Sequence, residues 1–173
     1  RIKRGVHYWN EWVRSVRASH QGGGGTRHKG ARIGVSSFWA DFKGVDLRGF
    51  DLYQGQIGGG WSGVDLIGAD LREANIEGAN LAWANLVGAT LSGANLKGVS
   101  LASATLSGAS LSHADLSGAN IAGANFLMGN LQGANLTKSN LYETYFIDTN
   151  LTNSIGLELC QFSGPCTIDH RSF

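Results

Sequence analysis

The sequence is poor in charged residues, cysteine and proline. Charged side chains make up only 16% of its 173 residues, and it has two cysteines and one proline. Cys160 and Cys166 are too few for a disulfide scaffold and lack metal-ligand spacing, so we expect structural thiols in a reducing, cytoplasmic setting. No run of about 18 apolar residues exists and no signal-like region follows Arg1, so neither a membrane span nor a signal peptide is predicted.

What the sequence has instead is glycine, 26 residues in all, and a period of five from Val64 to Asn153. The central positions of the repeats, 66 to 151 in steps of five, number 18, and all are large and apolar. Two residues before each centre lies a small residue, which is Ala in twelve units. Between these two lies Asn or Asp in thirteen units. Each unit therefore consists of a small residue, a polar residue and a large apolar residue, followed by two more residues.

Residues two apart lie on the same side of an extended backbone, so the small and the large residue of each unit face the same way. A constant period of five drifts around a helix axis, which excludes an amphipathic helix. Glycine in the last slot of many units indicates a corner. Units this short must stack to bury anything, so we predict an all-β fold, a right-handed parallel β-solenoid. Its predicted core includes Leu66, Leu71, Leu86, Leu91, Leu96, Leu106, Leu116, Phe126, Leu136 and Phe146.

The A-(D/N)-L-X-X unit resembles that of the pentapeptide-repeat family. The resemblance implies a solenoid of square cross-section with four units per coil. We divide the chain into a basic N-terminal segment with a capping helix and a Gly-rich linker (1–39), the solenoid (40–153) and a C-terminal cap or linker (154–173). We expect the period of five to be one residue short within Gly58–Gly60, just before Trp61.

The N-terminal segment places Val6, Trp9, Val13 and Val16 at helical spacing, which predicts a short amphipathic helix. Two interpretations stay open: a cap over the first coil, or a basic surface for nucleic acid or anionic lipid. The G-x-x-x-W-N-x-W wording resembles the segment before the repeats of bacterial pentapeptide-repeat proteins and favours the cap. The Gly-rich stretch Ser19–Gly34 lacks the Walker spacing for phosphate binding.

The period ends at Asn153, and we expect the tail to leave the rod and cover its last coil, with Leu157 and Phe162 as plugs. The spacing G-L-x-x-x-x-x-S-G-P-x-x-I-D, from residue 156 to 169, resembles a segment that follows such repeats in bacterial multidomain proteins. That resemblance implies the repeat module of a longer signalling or defence protein.

With four units per coil, positions twenty apart stack into columns, and two neighbouring columns are apolar. An exposed apolar column favours an interface with a protein partner or a second copy. The alternatives are cover by the N-terminal segment, and scattered apolar residues that are simply tolerated. The candidate interface consists of Ile67, Trp83, Val87, Leu127, Met128, Tyr142, Tyr145 and Ile147.

The repeats offer little for catalysis, because His113 is their only histidine and has no paired base or nucleophile. We predict a non-enzymatic protein-interaction scaffold or self-association module, with no cofactor, no metal and no small-molecule substrate. One alternative is a DNA mimic that modulates type II topoisomerase, as the family resemblance implies for some members. Such a mimic needs a dense acidic surface, which residues 78–132 lack. The other is attachment of the basic N-terminus to nucleic acid or a membrane surface.

Overall fold

The structure, a computed structural model, describes residues 63–160, 165–169 and 172. The predicted helix at Val6–Val16, the Gly-rich linker, the repeats from 40 to 62 and the predicted plug Phe162 lie outside the described residues. Within those ranges the regular elements are strand β1 (Tyr145–Phe146), a 3-10 turn (Leu157–Leu159) and strand β2 (Thr167–Ile168). All other pairing is made through single bridges.

The units stack because each polar middle residue pairs in parallel with the residue twenty positions further on. Asp65 pairs with Asn85, Asn85 with Thr105, and so on to Asn135 with Ile155. The amide of Leu66 donates to the carbonyl of Asn85 (2.7 Å). A coil thus takes four pentapeptide units, and the coils form a parallel β-solenoid. Its right-handed sense and its square section stay predictions.

The corners follow from one recurring turn. The amide of Ala69 donates to the carbonyl of Leu66 at 3.0 Å, and the same bond recurs in the units that follow. The residue before that amide has a positive φ, as at Gly68 (62°) and Gly98 (59°). A turn of this kind favours glycine at that position, since glycine has no Cβ to clash in the left-handed region. Glycine in the last slot of the unit therefore marks the corners, as the sequence predicts.

The interior is formed by the two apolar positions of each unit. All ten residues predicted as core are at most 1% exposed. The small residues two positions earlier are buried with them, so Ala fills the space between the larger side chains. Phe126 and Phe146 stack in adjacent coils with ring centroids 5.1 Å apart. Each such Leu or Phe contributes about 1.5–3 kcal/mol by leaving water, which explains how units of five residues can hold a fold.

The polar middle residues cap the turns. In Asn125 and Asn80 the side-chain oxygen accepts the amide two residues on, at 2.9 and 3.0 Å. Some also bond along their column, as where the amide nitrogen of Asn95 donates to Oδ1 of Asn75 (3.0 Å). These side chains satisfy backbone and amide groups, which is a structural role rather than a reactive one.

Leu157 packs against the core, as expected of a plug, but the tail does not leave the rod after Asn153. β2 pairs in parallel with β1, Tyr145 with Thr167, at a spacing of 22 residues rather than twenty. The amide of Leu151 donates to the carbonyl of Ser172 (2.8 Å), and the Ser172 hydroxyl donates to the carbonyl of Phe146 (2.9 Å). The period disappears from the sequence because two residues are added between paired positions, while the backbone still pairs with the coil before it.

Candidate interaction surface

The eight residues predicted to form an interface lie on two adjacent faces of the solenoid. The first, the apolar face, consists of the units 64–68, 84–88, 104–108, 124–128 and 144–148. The second, the alanine face, consists of the units 79–83, 99–103, 119–123 and 139–143. Each alanine-face unit directly precedes an apolar-face unit, so the two faces share a corner.

The apolar face carries its column one position after each buried centre. Because the middle residues pair from Asp65 through Asn85, Thr105 and Asn125 to Tyr145, the residues beside them also stack, at about 4.8 Å per coil. Val87 and Ile147 are exposed, whereas Ile67 and Leu127 are half-buried. The column is therefore apolar and in part open to solvent.

The alanine face is flat for most of its length. Its column has Ala82, Ala102 and Ala122, and then the exposed Tyr142. The hydroxyl of Tyr142 bonds the neighbouring carboxylate of Glu143, which raises the tyrosine pKa. Tyr145, in β1, is also exposed, so two aromatic side chains lie where the faces meet in the last repeat coil.

Two corners carry large apolar side chains instead of glycine. Trp83 is 68% exposed at φ 63°, and Met128 is 66% exposed at φ 56°. A left-handed conformation costs a residue with a Cβ about 1–2 kcal/mol. Trp83 lies at the corner that both faces share, and Met128 lies at the opposite edge of the apolar face. These two side chains therefore border the apolar face at backbone positions that favour glycine.

The corners that lack glycine differ in the residue that is stacked on them in the next coil. At three corners a non-glycine side chain lies over a glycine of the next coil, twenty residues on. A Cβ placed on Gly133 would lie 2.6 Å from Nδ1 of His113, and one on Gly93 would lie 3.8 Å from Cγ of Glu73. Trp83 is followed in its column by Ser103 and Met128 by Asp148, so neither has a glycine to lie over. Trp83 and Met128 therefore differ from these three corners in their neighbours in the next coil, although Glu73 and His113 are exposed as well.

Charge is distributed unevenly around the surface. Over the described ranges the two faces carry no Lys or Arg, whereas Asp65, Glu143 and Asp148 lie at their ends. On the other faces charges pair, Arg72 with Asp70 at 2.7 Å and Lys97 with Asp115 at 3.3 Å.

Asp115 has a lowered pKa. Its partial burial alone would raise the pKa, but hydrogen bonds from Ser117 and Lys97 outweigh that burial. This carboxylate is held in a structural network and is paired in its charged form.

No catalytic constellation is seen in the part of the chain that the structure describes. There, no group of three His, Cys, Asp or Glu side chains is arranged to hold a metal ion. Cys160 and Cys166 are free, pack against the core and have pKa values raised by burial, as expected of structural thiols. Among the described residues no helix is long and apolar enough to cross a bilayer.

Two exposed apolar residues, Ile155 and Leu159, were missed from the sequence. Ile155 pairs with Asn135 and so occupies the slot that Asn or Asp fills in most units. The signal that could have identified Ile155 is a large apolar residue in the middle position of a unit, which is normally polar. Tyr145 shows the same signal. Leu159 belongs to the 3-10 turn. The period of five has ended there, so it cannot predict whether this side chain is exposed.

Comparisons with known proteins agree with this architecture. The model of the family described as pentapeptide repeats matches eight copies, over residues 62–93, 94–126 and 130–155. A pentapeptide repeat protein from the thylakoid lumen of Arabidopsis thaliana is 31% identical with a TM-score of 0.54, over 56% of this chain and 67% of that one. No curated protein matches the sequence.

Two further solved structures are similar. A pentapeptide repeat protein from the cyanobacterium Cyanothece 51142 is 28% identical with a TM-score of 0.48, over 75% of this chain and 88% of that one. One from Nostoc PCC 7120 is 34% identical with a TM-score of 0.39, over 56% of this chain and 70% of that one.

Proposed function

The chain belongs to the pentapeptide-repeat family, and we propose that it is a non-enzymatic protein-interaction module. Members of the family serve in general as structural or interaction modules rather than enzymes. In this proposal a protein partner or a second copy docks on the two faces that carry the eight candidate residues, from here on called the apolar surface. The two free thiols support a reducing, cytoplasmic setting.

The observation that carries the proposal is the pair of projecting side chains, Trp83 and Met128. Both are exposed by about two thirds, and both hold a left-handed backbone at which glycine would be less strained. Trp, Tyr and Met are the residue types enriched where partners dock. Strain and exposure at the edges of one apolar face favour binding over a purely structural role.

The topoisomerase alternative is less favoured by the charges. A DNA mimic competes with phosphates through a dense acidic surface. From residue 78 to residue 132 the only charged side chains are Lys97 and Asp115, apart from histidine, and they pair with each other at 3.3 Å. The other alternative, attachment through the basic N-terminus, falls on residues outside the described ranges. It predicts binding to nucleic acid or anionic vesicles that weakens steeply with salt.

The proposal predicts that Leu127→Glu abolishes association without unfolding the chain. The substitution puts a charge on the apolar surface, where desolvating that charge on binding is costly. Its matched control is Gln132→Glu, which adds the same charge at an exposed position of the adjacent face in the same part of the solenoid. Association is measured by sedimentation of the purified chain and by retention of proteins from native extract, with each retained protein then purified and titrated.

The expected result is a complex that forms with the wild-type chain and with Gln132→Glu but is lost with Leu127→Glu. Circular dichroism checks that all three are folded. A complex that survives Leu127→Glu unchanged, or the absence of any complex at micromolar protein, would contradict the proposal.

A further inference from the structure

We propose that Cys160 and Cys166 form a disulfide when the chain meets a peroxide, and that this bond fastens the tail to the last repeat coil. The two are the only cysteines of the chain, and both are free in the structure. This modification goes beyond the proposed function and needs no partner, since both thiols belong to the C-terminal end of the solenoid.

Cys160 caps the end of the 3-10 turn, and its side chain is directed into the last repeat coil. The thiol donates to the carbonyl of Leu136 at 3.1 Å, and its sulfur lies 3.5 Å from Oγ of Ser139. Ser139 is fully buried and occupies the small position of the unit 139–143. The sulfur of Cys160 therefore lies beside this interior position.

Cys166 lies over the small position of the next unit. Thr167 pairs in parallel with Tyr145, so the residue before each of them is stacked on the other. The amide of Thr167 also donates to the carbonyl of Thr144 at 2.9 Å, and Thr144 is fully buried. Cys166 and Ile168 pack against the core, whereas Thr167 between them is exposed. In an extended segment this alternation means that the side chain of Cys166 faces the interior.

The two thiols are neighbours, because the small positions beneath them belong to consecutive units of one coil. A single turn joins these units, in which the amide of Thr144 donates to the carbonyl of Leu141 at 3.2 Å. The electrostatics agree, since burial raises the pKa of Cys166 and the charge of a nearby Cys160 thiolate raises it further. Side chains that face one interior from adjacent positions can reach the Cβ separation of about 3.5–4.5 Å that a disulfide requires.

The reaction is a two-electron oxidation with hydrogen peroxide as the oxidant. The thiolate of one cysteine attacks a peroxide oxygen, and the O–O bond breaks to give a sulfenic acid and hydroxide. The hydroxide takes the proton that the thiol gave up and becomes water. The second thiol then attacks the oxidised sulfur, the S–O bond breaks, and a second water leaves. Two thiols thus become one disulfide while the peroxide is reduced to two molecules of water.

The bond should form slowly at neutral pH. Only the thiolate attacks, and burial raises the pKa of both thiols, so little thiolate is present. Below these pKa values the thiolate fraction rises about tenfold for each pH unit, and the rate of disulfide formation should rise by the same factor. The bond is therefore made under sustained rather than brief exposure to peroxide.

The disulfide holds the tail in place, because it joins the end of the 3-10 turn to the residue before β2. In the reduced chain this part of the tail is held by single hydrogen bonds, such as that from the amide of Glu143 to the carbonyl of Pro165 (2.7 Å). A cross-link removes conformations from the opened tail, so opening becomes rarer. The amides that pair the tail with the coil should then exchange more slowly with solvent.

The test treats the purified chain with hydrogen peroxide and follows its free thiols, its intact mass and its amide exchange. We expect the wild-type chain to lose both thiols and two hydrogen atoms while it stays monomeric, and a dithiol reductant to restore them. Exchange of the Thr167 amide should slow by on the order of tenfold or more. The amide of Leu101, which donates to the carbonyl of Asn120 in the middle of the solenoid, is the internal control and should not change.

Cys160→Ser and Cys166→Ser are the matched variants, and circular dichroism checks that both are folded. In each of them peroxide should leave the exchange of Thr167 unchanged. Thiols that stay free or become sulfinic acids in the wild-type chain would overturn the proposal, as would a disulfide that links two chains. A disulfide within one chain that leaves Thr167 exchange unchanged would overturn the fastening of the tail. None of these measurements involves a partner, so the proposed function stands or falls separately.

Discussion

At the residue scale, the identity of the corner residue determines which side chain each unit exposes at its corner. Residues with positive φ recur at the last slot of nearly every unit, and glycine occupies about half of them. The sequence predicts these corners because glycine recurs in phase. It does not predict how closely a corner side chain approaches the next coil, since that depends on the residue twenty positions on. Trp83 and Met128, two of the candidate interface residues, are both exposed by about two thirds.

One prediction concerns two glycines with different surroundings. A Cβ on Gly98 meets nothing within 4 Å, so Gly98→Ala should cost only the left-handed strain, about 1 kcal/mol. Gly133→Ala should cost more, because the ring of His113 must also move. In a His113→Ala chain the extra cost should vanish. Urea unfolding of the four variants measures these free energies of unfolding. If Gly133→Ala costs the same with and without His113, the contact between the His113 side chain and the next coil is refuted.

A second residue-scale prediction separates stability from binding. Trp83→Gly removes a large side chain from a left-handed position, so the free energy of unfolding should stay unchanged or rise by up to about 1 kcal/mol. The same change should weaken the complex described above, because it removes an aromatic side chain from the edge of the apolar surface. Urea unfolding and a binding titration, made on the same preparation, give the two quantities. A variant that is less stable and binds normally would show that Trp83 has a structural role.

At the scale of the coil the polar middle residues hold the backbone. The sequence predicts their turn-capping role, and the hydrogen bonds agree. What it does not predict is the bonding along a column, where Asn95 donates to both Asn75 (3.0 Å) and Glu77 (3.0 Å). The expectation that the tail leaves the rod after Asn153 was wrong at this same scale. Its pairing with β1 depends on a spacing of 22 residues, which no period of five can reveal.

Asn95→Ala should therefore destabilise the chain by about 1–2 kcal/mol, since it removes a turn cap and two bonds along the column. Asn85→Ala is the matched control, because the bond of its side chain to the amide of Val87 is long, 3.4 Å. Its cost should be about 0.5 kcal/mol or less. Thermal or urea unfolding compares the two. Equal losses would mean that the turn cap alone matters and that the column bonds contribute nothing.

At the scale of the whole molecule, the sequence predicted the repeat, its core and the two apolar faces, because a strict period fixes which side every residue faces. The ten predicted core residues are buried, and six of the eight candidate interface residues are exposed, Ile67 and Leu127 being half-buried. The function cannot be predicted from the period in the same way. The same solenoid can present any side chain at its outward positions, so the fold does not select a partner.

The most direct test of the central claim is a photo-cross-link made in the living cell. Tyr142→p-benzoylphenylalanine places the reactive group on the apolar surface, and Gln132→p-benzoylphenylalanine places it at an exposed position of the adjacent face. After illumination, the intact mass of the chain shows what was attached. We predict a discrete intermolecular adduct from position 142 and none from position 132. Equal adducts from both positions, or none from position 142, would contradict a docking role for the apolar surface.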